Sequence, residues 1–403
     1  MASSFRSMPD ALWLRSFGGM KRTSVVIAAV CAATLVSPAV ASATPQLQRT
    51  LQRDADTLVA NGSPGALVEV STARDSVKVR SGHGDLRTRT PVPWDGHFRI
   101  ASFSKTFLSA TMLQLVGEGR LSLEDKVDRW LPGVVSGNGN DGRAITVRQL
   151  LQHTSGLHDY MAELDLFTEK GFLRHRFDEL SASEAVKLAV GKPPAFEPGK
   201  SWGYSNTNYV LAGMITEKVT GRDWRQEIID RIVRPLNLRE TTLPHTSPFI
   251  PAPHARGYDR FVVEGSNPPR LGRRVDVTLM NPSMGGGADG SINSTTEDGN
   301  KFLRALLGGK VLPPSMLAEM KKTVPAPGLG AYGLGLVKST VSCGDYWGHG
   351  GALPGYLTGN GVTEDGKRSV MVSLNTLTPF HPGAEPPAGN PLDPVIDHAL
   401  CGR

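Results

Sequence analysis

Three short stretches carry residue types that could perform acyl transfer. The first is Ile100-Ala101-Ser102-Phe103-Ser104-Lys105, which reads as a short strand delivering a serine to the first turn of a helix. Residues three apart share a helix face, so Lys105 stands one turn above Ser102 with its ammonium in reach of the hydroxyl. A serine hydroxyl is a weak nucleophile until a neighbouring base takes its proton. A lysine that is desolvated, or set among other cations, can be that base. The helix start adds free N–H groups and a dipole suited to developing negative charge. Taken alone, the same pair reads as a helix cap beside a solvated lysine.

The second stretch, Pro198 to Asn206, sets Tyr204 two residues before Asn206 on an extended or irregular segment. A tyrosine beside cations can fall in pKa and shuttle protons, and an asparagine amide can donate to a substrate carbonyl. The third is His349-Gly350-Gly351-Ala352. Its glycines permit close backbone approach to a ligand, and the histidine offers a positive or hydrogen-bonding group. Each stretch also reads as an ordinary polar or glycine-rich loop. Gly199-Lys200-Ser201-Trp202-Gly203 fits the Gly-x-Ser-x-Gly elbow of α/β-hydrolases, but Pro193, Pro194 and Pro198 stand where that motif needs a buried strand. His153, His158 and His175 lack a zinc-site spacing and a cysteine partner, so no metal and no other cofactor is expected.

Positioning these residues requires a sizeable fold. Lys21 and Arg22 precede the uncharged run Ser24 to Val36 and the small-x-small site Ala41-Ser42-Ala43, so residues 1–43 read as a secretory signal peptide, with Met20 the better start. Residues 44–403 then form the mature domain, with no membrane anchor and a secreted destination. The net charge of +6 is mild and no dense Lys/Arg stripe occurs, so nucleic acid is not an expected partner. Cys343 and Cys401 remain after cleavage, and an even count in an exported chain favours a disulfide over two free thiols. Apolar spacing predicts a helix over 45–61, strands over 66–70, 76–81 and 98–100, and the helix that begins at Ser102. Helical patterns over 123–130, 147–153, 182–190, 210–220 and 224–232 make the middle of the chain, about 120–290, all-helical. A helix over 301–307, strands over 332–338, 356–358 and 369–374, and a last helix over 393–400 follow. The expected architecture is α+β: one α/β lobe built from both chain ends with a helical lobe inserted.

In this order, Ser102-x-x-Lys105, Tyr204-Ser205-Asn206 and His349-Gly350-Gly351 resemble the three motifs of the serine penicillin-recognising family: Ser-x-x-Lys, Tyr-x-Asn and a Lys/His-Thr-Gly triplet. Ile145–Leu157, Gly285–Gly290 and Ser294–Asp298 are also similar to family segments, so the likeness spans nearly all of 47–403. It points to the branch of secreted D-alanyl-D-alanine carboxypeptidases, class C β-lactamases and related esterases, and most resembles the secreted DD-carboxypeptidases. Their paired cysteines match Cys343 and Cys401.

The resemblance implies the β-lactamase/penicillin-binding fold, an antiparallel sheet flanked by helices with the site in a cleft beside the helical lobe. It implies Ser102 as nucleophile, Lys105 and Tyr204 as proton carriers, and the N–H groups of Ser102 and Ala352 as oxyanion hole. Asn206 would hold the acyl side chain and His349 would tune Tyr204. Small peptide, ester or β-lactam substrates are implied, with cell-wall peptidoglycan a candidate partner. D-Ala-D-Ala carboxypeptidase is the leading activity; an esterase, a D-aminopeptidase-like peptidase or a weak β-lactamase is the alternative, and a non-catalytic penicillin sensor stands behind both. The triplet departs from the family at Gly350, where threonine is usual, and at Ala352, where a hydroxyl often follows. An arginine expected on the neighbouring strand is replaced by Val337 and Lys338. Those groups bind a substrate's terminal carboxylate, and Lys338 is the one cation that could substitute.

Overall fold

The computed structural model describes residues 44–267, 270–378 and 389–402; the expected signal peptide over 1–43 lies outside the described residues. The first helix, Thr44–Ala60, buries Leu47, Leu51, Ala55 and Leu58 at three- and four-residue spacing. That stripe packs on the strands Gly65–Thr72 and Ser76–Asp85 and on the last helix, Asp393–Cys401. Each fully buried leucine in such a seam contributes about 1.5–3 kcal/mol over leaving it exposed.

Among the described residues, ten strands make one sheet in which every pairing is antiparallel. In space the order runs Val324–Ala326, Gly330–Tyr332, Val337–Val341, Gly344–Gly348, Tyr356–Thr363, Arg368–Leu374, Gly65–Thr72, Ser76–Asp85 and Thr90–Pro91, with Gly351–Leu353 paired to Tyr356–Thr363. The two chain ends thus share the centre, with Ala66 opposite Leu374 and Thr72 opposite Arg368. Thr296–Leu307 covers the face opposite the terminal helices. The Phe302 ring from that helix stacks on Phe107 at 3.7 Å between centroids and leans on Phe103, which ties the Ser104–Gly117 helix to the sheet. Cys343 and Cys401 are joined in a disulfide that pins the last helix to the turn between Val337–Val341 and Gly344–Gly348.

The lobe between these halves is mostly helical, through Val147–Leu151, Ala182–Val190, Thr207–Thr220 and Trp224–Ile228. Thr146 and Ser181 each close a capping box at the start of their helix. It is not all-helical, however. Tyr258–Val262 and Leu271–Asp276 form a hairpin whose buried residues, Tyr258, Asp259, Phe261 and Val275, do not alternate cleanly with polar ones, which hides a strand from a period-two reading. The pattern over 123–130 yields a helix only at Val127–Trp130, because Asp125 N–H closes a turn on the Ser122 carbonyl and the Leu123 and Asp125 carbonyls accept from the Arg148 and Val147 N–H groups rather than from a helical turn of their own. The expected strand over 332–338 is two strands. Between them Gly335 turns at φ +71° and dips against the Ser104–Gly117 helix, where its carbonyl accepts from Thr106 Oγ1 at 2.8 Å. A helix at Pro314–Met320, begun by a proline in its first turn, is additional.

Candidate active site

The turn that carries Ser102 is built by a two-residue strand, Phe98–Arg99, paired with Asn293–Ser294. The chain then passes through Ala101, which is fully buried at φ +49°, a left-handed conformation that costs a non-glycine residue about 1 kcal/mol or more. Ser102 sits in the 3-10 turn that follows, and the α-helix proper starts at Ser104. The kink is held from behind: Ile100 N–H donates to the Ile292 carbonyl at 3.0 Å, and Ser104 Oγ accepts from Ile292 N–H at 3.2 Å.

Lys105 is fully buried, and its Nζ has three partners: Ser102 Oγ at 3.0 Å, Asn206 Oδ1 at 2.7 Å and the Asp289 carbonyl at 2.7 Å. Both protonation states fit this set. An ammonium donates to all three; a free amine donates to the two carbonyl oxygens and turns its lone pair to the Ser102 O–H. Burial pulls the Lys105 pKa down to about 8, against the opposing pull of the Asp289 and Asp159 carboxylates. The free amine is therefore accessible near neutrality.

Tyr204 lies beside this pair, with Lys105 Nζ 5.1 Å from its ring centroid. Here the structure corrects the sequence-based expectation of a lowered tyrosine pKa. Burial pushes the phenol well up, the nearby Asp289 and Asp159 charges add to the rise, and the approach of Ser102 only partly offsets it. The hydroxyl makes no hydrogen bond among the described residues, its approach to Ser102 falling short of bonding geometry. Tyr204 is thus a neutral phenol with an unspent proton.

Asn206 is engaged at both ends of its amide, accepting from Lys105 and donating to Asp159 Oδ2 at 2.9 Å, which leaves one N–H for a substrate. Of the two roles expected for His349, positive charge or hydrogen bonding, the structure fits the second. The side chain is buried, and desolvation together with Lys105 lowers its pKa to about 3, so it is neutral and no source of positive potential for Tyr204. Its ring Nε2 meets the Tyr332 hydroxyl at 2.8 Å and its Nδ1 meets the Gly350 carbonyl at 2.7 Å. The Asn360 amide clamps its backbone, accepting from His349 N–H at 2.9 Å and donating to the His349 carbonyl at 2.8 Å.

Gly351 brings the next strand against the turn that carries Ser102; a Cβ there would stand 2.1 Å from the Ile100 carbonyl oxygen. Ser102, Tyr204, Asn206, His349, Gly350, Gly351 and Ala352 consequently line one cleft of about 940 Å³. Gly350 and Ala352 are both exposed along it. Lys338 also reaches this cleft, but its ammonium is paired with Asp345 at 2.6 Å. The Gly199–Gly203 segment forms turns rather than a strand-to-helix elbow, while His158 and His175 pair with Glu163 and Asp178.

Sequence reasoning missed Asp159, Asp289, Tyr332 and Asn360. Asp289 lies inside the quoted Gly285–Gly290 segment, and its buried carboxyl, raised to about 6 by desolvation, accepts from Tyr160 at 3.0 Å. The other three stand outside any short motif, and only the fold brings Asn360 to the cleft, Asp159 to Asn206 and Tyr332 to His349.

Comparison with known proteins places this geometry. The Beta-lactamase family model matches residues 47–389. Penicillin-binding protein 4* of Bacillus subtilis is 30% identical over 294 residues, 69% of this chain, which spans only 60% of that relative. The structure of a D-stereospecific amidohydrolase from Streptomyces sp. superposes with a TM-score of 0.78 at 40% identity, covering 88% of this chain and 99% of that one. D-amino acid amidase from Ochrobactrum anthropi SV3, solved with D-phenylalanine, gives a TM-score of 0.75 at 27% identity, covering 89% and 98%. The chain belongs to the β-lactamase family, the serine penicillin-recognising hydrolases.

Proposed function

We propose that this protein hydrolyses amides of D-amino acids, or short peptides that begin with them, through an acyl-enzyme on Ser102. The observation that carries the reading is the 40% identity to the Streptomyces amidohydrolase over 99% of that chain. The cleft supports it. The two positions that would hold hydroxyls for a terminal carboxylate are Gly350 and Ala352, and the nearby cation Lys338 is already paired. That set favours a neutral leaving group over the free C-terminus a carboxypeptidase selects. Behind the cleft wall, the half-buried Asp159 carboxylate accepts from Asn206 and holds that amide in place.

In the first step the Ser102 oxygen attacks the amide carbon and its proton passes to the Lys105 amine. The N–H groups of Ser102 and Ala352 receive the oxyanion, a role that needs no side chain at position 352. Tyr204 gives its unspent proton to the departing nitrogen and is reprotonated from Lys105. Ammonia or an amine leaves, and water then attacks the ester by the reverse proton route, freeing Ser102. Asn206 holds Lys105 on one side and offers its remaining N–H to the acyl part. Export of the chain, with residues 1–43 removed, is part of the proposal; N-terminal sequencing of secreted protein should begin at Thr44.

The test pairs D- and L-phenylalanine amide with a peptide ending in D-Ala-D-Ala and a labelled penicillin, each against Ser102→Ala. Ammonia release from the D-amide in preference to the L-amide, lost in Ser102→Ala, is expected. Release of D-Ala without amide turnover would return the assignment to a carboxypeptidase.

A further inference from the structure

A line of hydrogen bonds crosses the site behind Tyr204, and its direction can be read from its ends. His153 Nδ1 faces two N–H donors, Ser205 N at 3.2 Å and Asn208 Nδ2 at 3.1 Å, so it must be the bare nitrogen. His153 Nε2 then carries the proton and donates to Tyr332 Oη at 3.2 Å. At the other end, His349 Nδ1 faces only the Gly350 carbonyl oxygen, so it carries the proton and its Nε2 is bare. Tyr332 Oη, 2.8 Å from that nitrogen, must donate to it. The one arrangement that satisfies every atom runs from Ser205 and Asn208 through His153, Tyr332 and His349 to Gly350. His153 is fully buried and adopts φ +59°, a left-handed conformation that histidine enters more readily than most side chains. Its ring packs 4.3 Å from that of Tyr204, between centroids.

The geometry points to Tyr332 as a positioning residue that locks His349 in the Nδ1–H form and thereby fixes the Gly350 carbonyl and the Gly351–Ala352 strand against Ser102. The mechanism proposed above uses neither Tyr332 nor His153. The titratable groups around the His349 ring are Tyr332, Tyr204, Lys105 and, through Tyr332, His153. Burial and Lys105 hold His349 neutral, and the Tyr332 hydrogen bond is made only to that neutral form. Removing it exposes the bare nitrogen to protonation next to Lys105.

Two measurements test the inference, and neither rests on the proposed acyl-enzyme. Histidine 15N spectra of the full chain should show His349 as Nδ1–H and His153 as Nε2–H; either ring in the other tautomer overturns it. In Tyr332→Phe, the 15N titration of His349, near pH 3 in the parent, should move up by about one unit, the loss of one hydrogen bond to its neutral form. A merely structural role would lower stability and leave the His349 titration in place, and that result would also overturn it. Correct tautomers in a protein that turns over no amide or ester would instead refute the proposed function alone.

Discussion

Asp289→Asn should make the enzyme faster at neutral pH. Lys105 is drawn down to about 8 by burial, while the Asp289 carboxylate, itself ionised above about pH 6, pulls it back up. At pH 7 a base of pKa about 8 is free in about one molecule in ten. Removing one close negative charge lowers a lysine by about one unit or more, which raises the free fraction at pH 7 to about one half. Pre-steady-state acylation by a p-nitrophenyl ester should therefore rise about fivefold at pH 7. The gain should shrink above pH 9, where Lys105 is free in both proteins, and below pH 6, where Asp289 is protonated and its charge is gone. The asparagine keeps an oxygen for the Tyr160 hydroxyl, now 3.0 Å from Asp289 Oδ2, so the local packing is retained. A stopped-flow series from pH 5 to 10 reads the effect directly. An unmoved profile, or a variant slower at pH 7, would show that Lys105 does not act as the base.

The remaining expectations concern the strand beside Ser102 and the last helix. A Cβ at Gly350 would come no closer than 3.4 Å to the Thr358 carbonyl oxygen, so threonine fits there. Gly350→Thr with Ala352→Thr should improve turnover of a D-Ala-D-Ala peptide, each new carboxylate hydrogen bond being worth about 1.5–3 kcal/mol; no change in the ratio of peptide to amide turnover would count against the cleft reading. Gly351→Ala, by contrast, drives a methyl to 2.1 Å from the Ile100 carbonyl oxygen. It should cost about 1–3 kcal/mol in urea unfolding and slow acylation, because the strand is pushed off the nucleophile turn. Replacing both Cys343 and Cys401 by serine opens a loop of 58 residues, for which chain entropy predicts a loss of about 4 kcal/mol. A urea midpoint within error of the parent would refute that account.

Ser102, Lys105, Tyr204 and Asn206 were legible only through the three motifs taken in order, since each pair alone also reads as a cap or a polar loop. The amphipathic Thr44–Ala60 helix was legible because one of its faces is apolar and the other is wet. The charge states at the site were not. A tyrosine near a lysine reads as acidified in sequence, yet complete burial makes desolvation the larger effect and the phenol stays protonated. His349 reads as a positive or a hydrogen-bonding group, and burial decides for the second by keeping the ring neutral. The break after Tyr332 was hidden because Gly333 and Gly335 interrupt an otherwise strand-like run, and only the Ser104–Gly117 helix beneath explains why the chain dips there. Tyr332 and Asn360 lie in strands, where any partner is chosen by register rather than by neighbours in sequence.

The pairing of Gly65–Thr72 with Arg368–Leu374 makes the enzyme contingent on its own completion. Ser102 and Tyr204 leave the ribosome early, whereas the strand that carries Gly351 and the one that closes the sheet come last. Until then the first hairpin has a bare edge, open to pairing with other chains, and the Thr44–Ala60 helix lacks the Asp393–Cys401 helix it packs against. Contacts this distant in sequence form slowly. A chain stopped before residue 368 would keep every residue of the acyl-transfer set and still present Ser102 to no oxyanion strand held in place. Under the proposed mechanism, the cleft around Ser102 is complete only once the last strands of the chain are in the sheet.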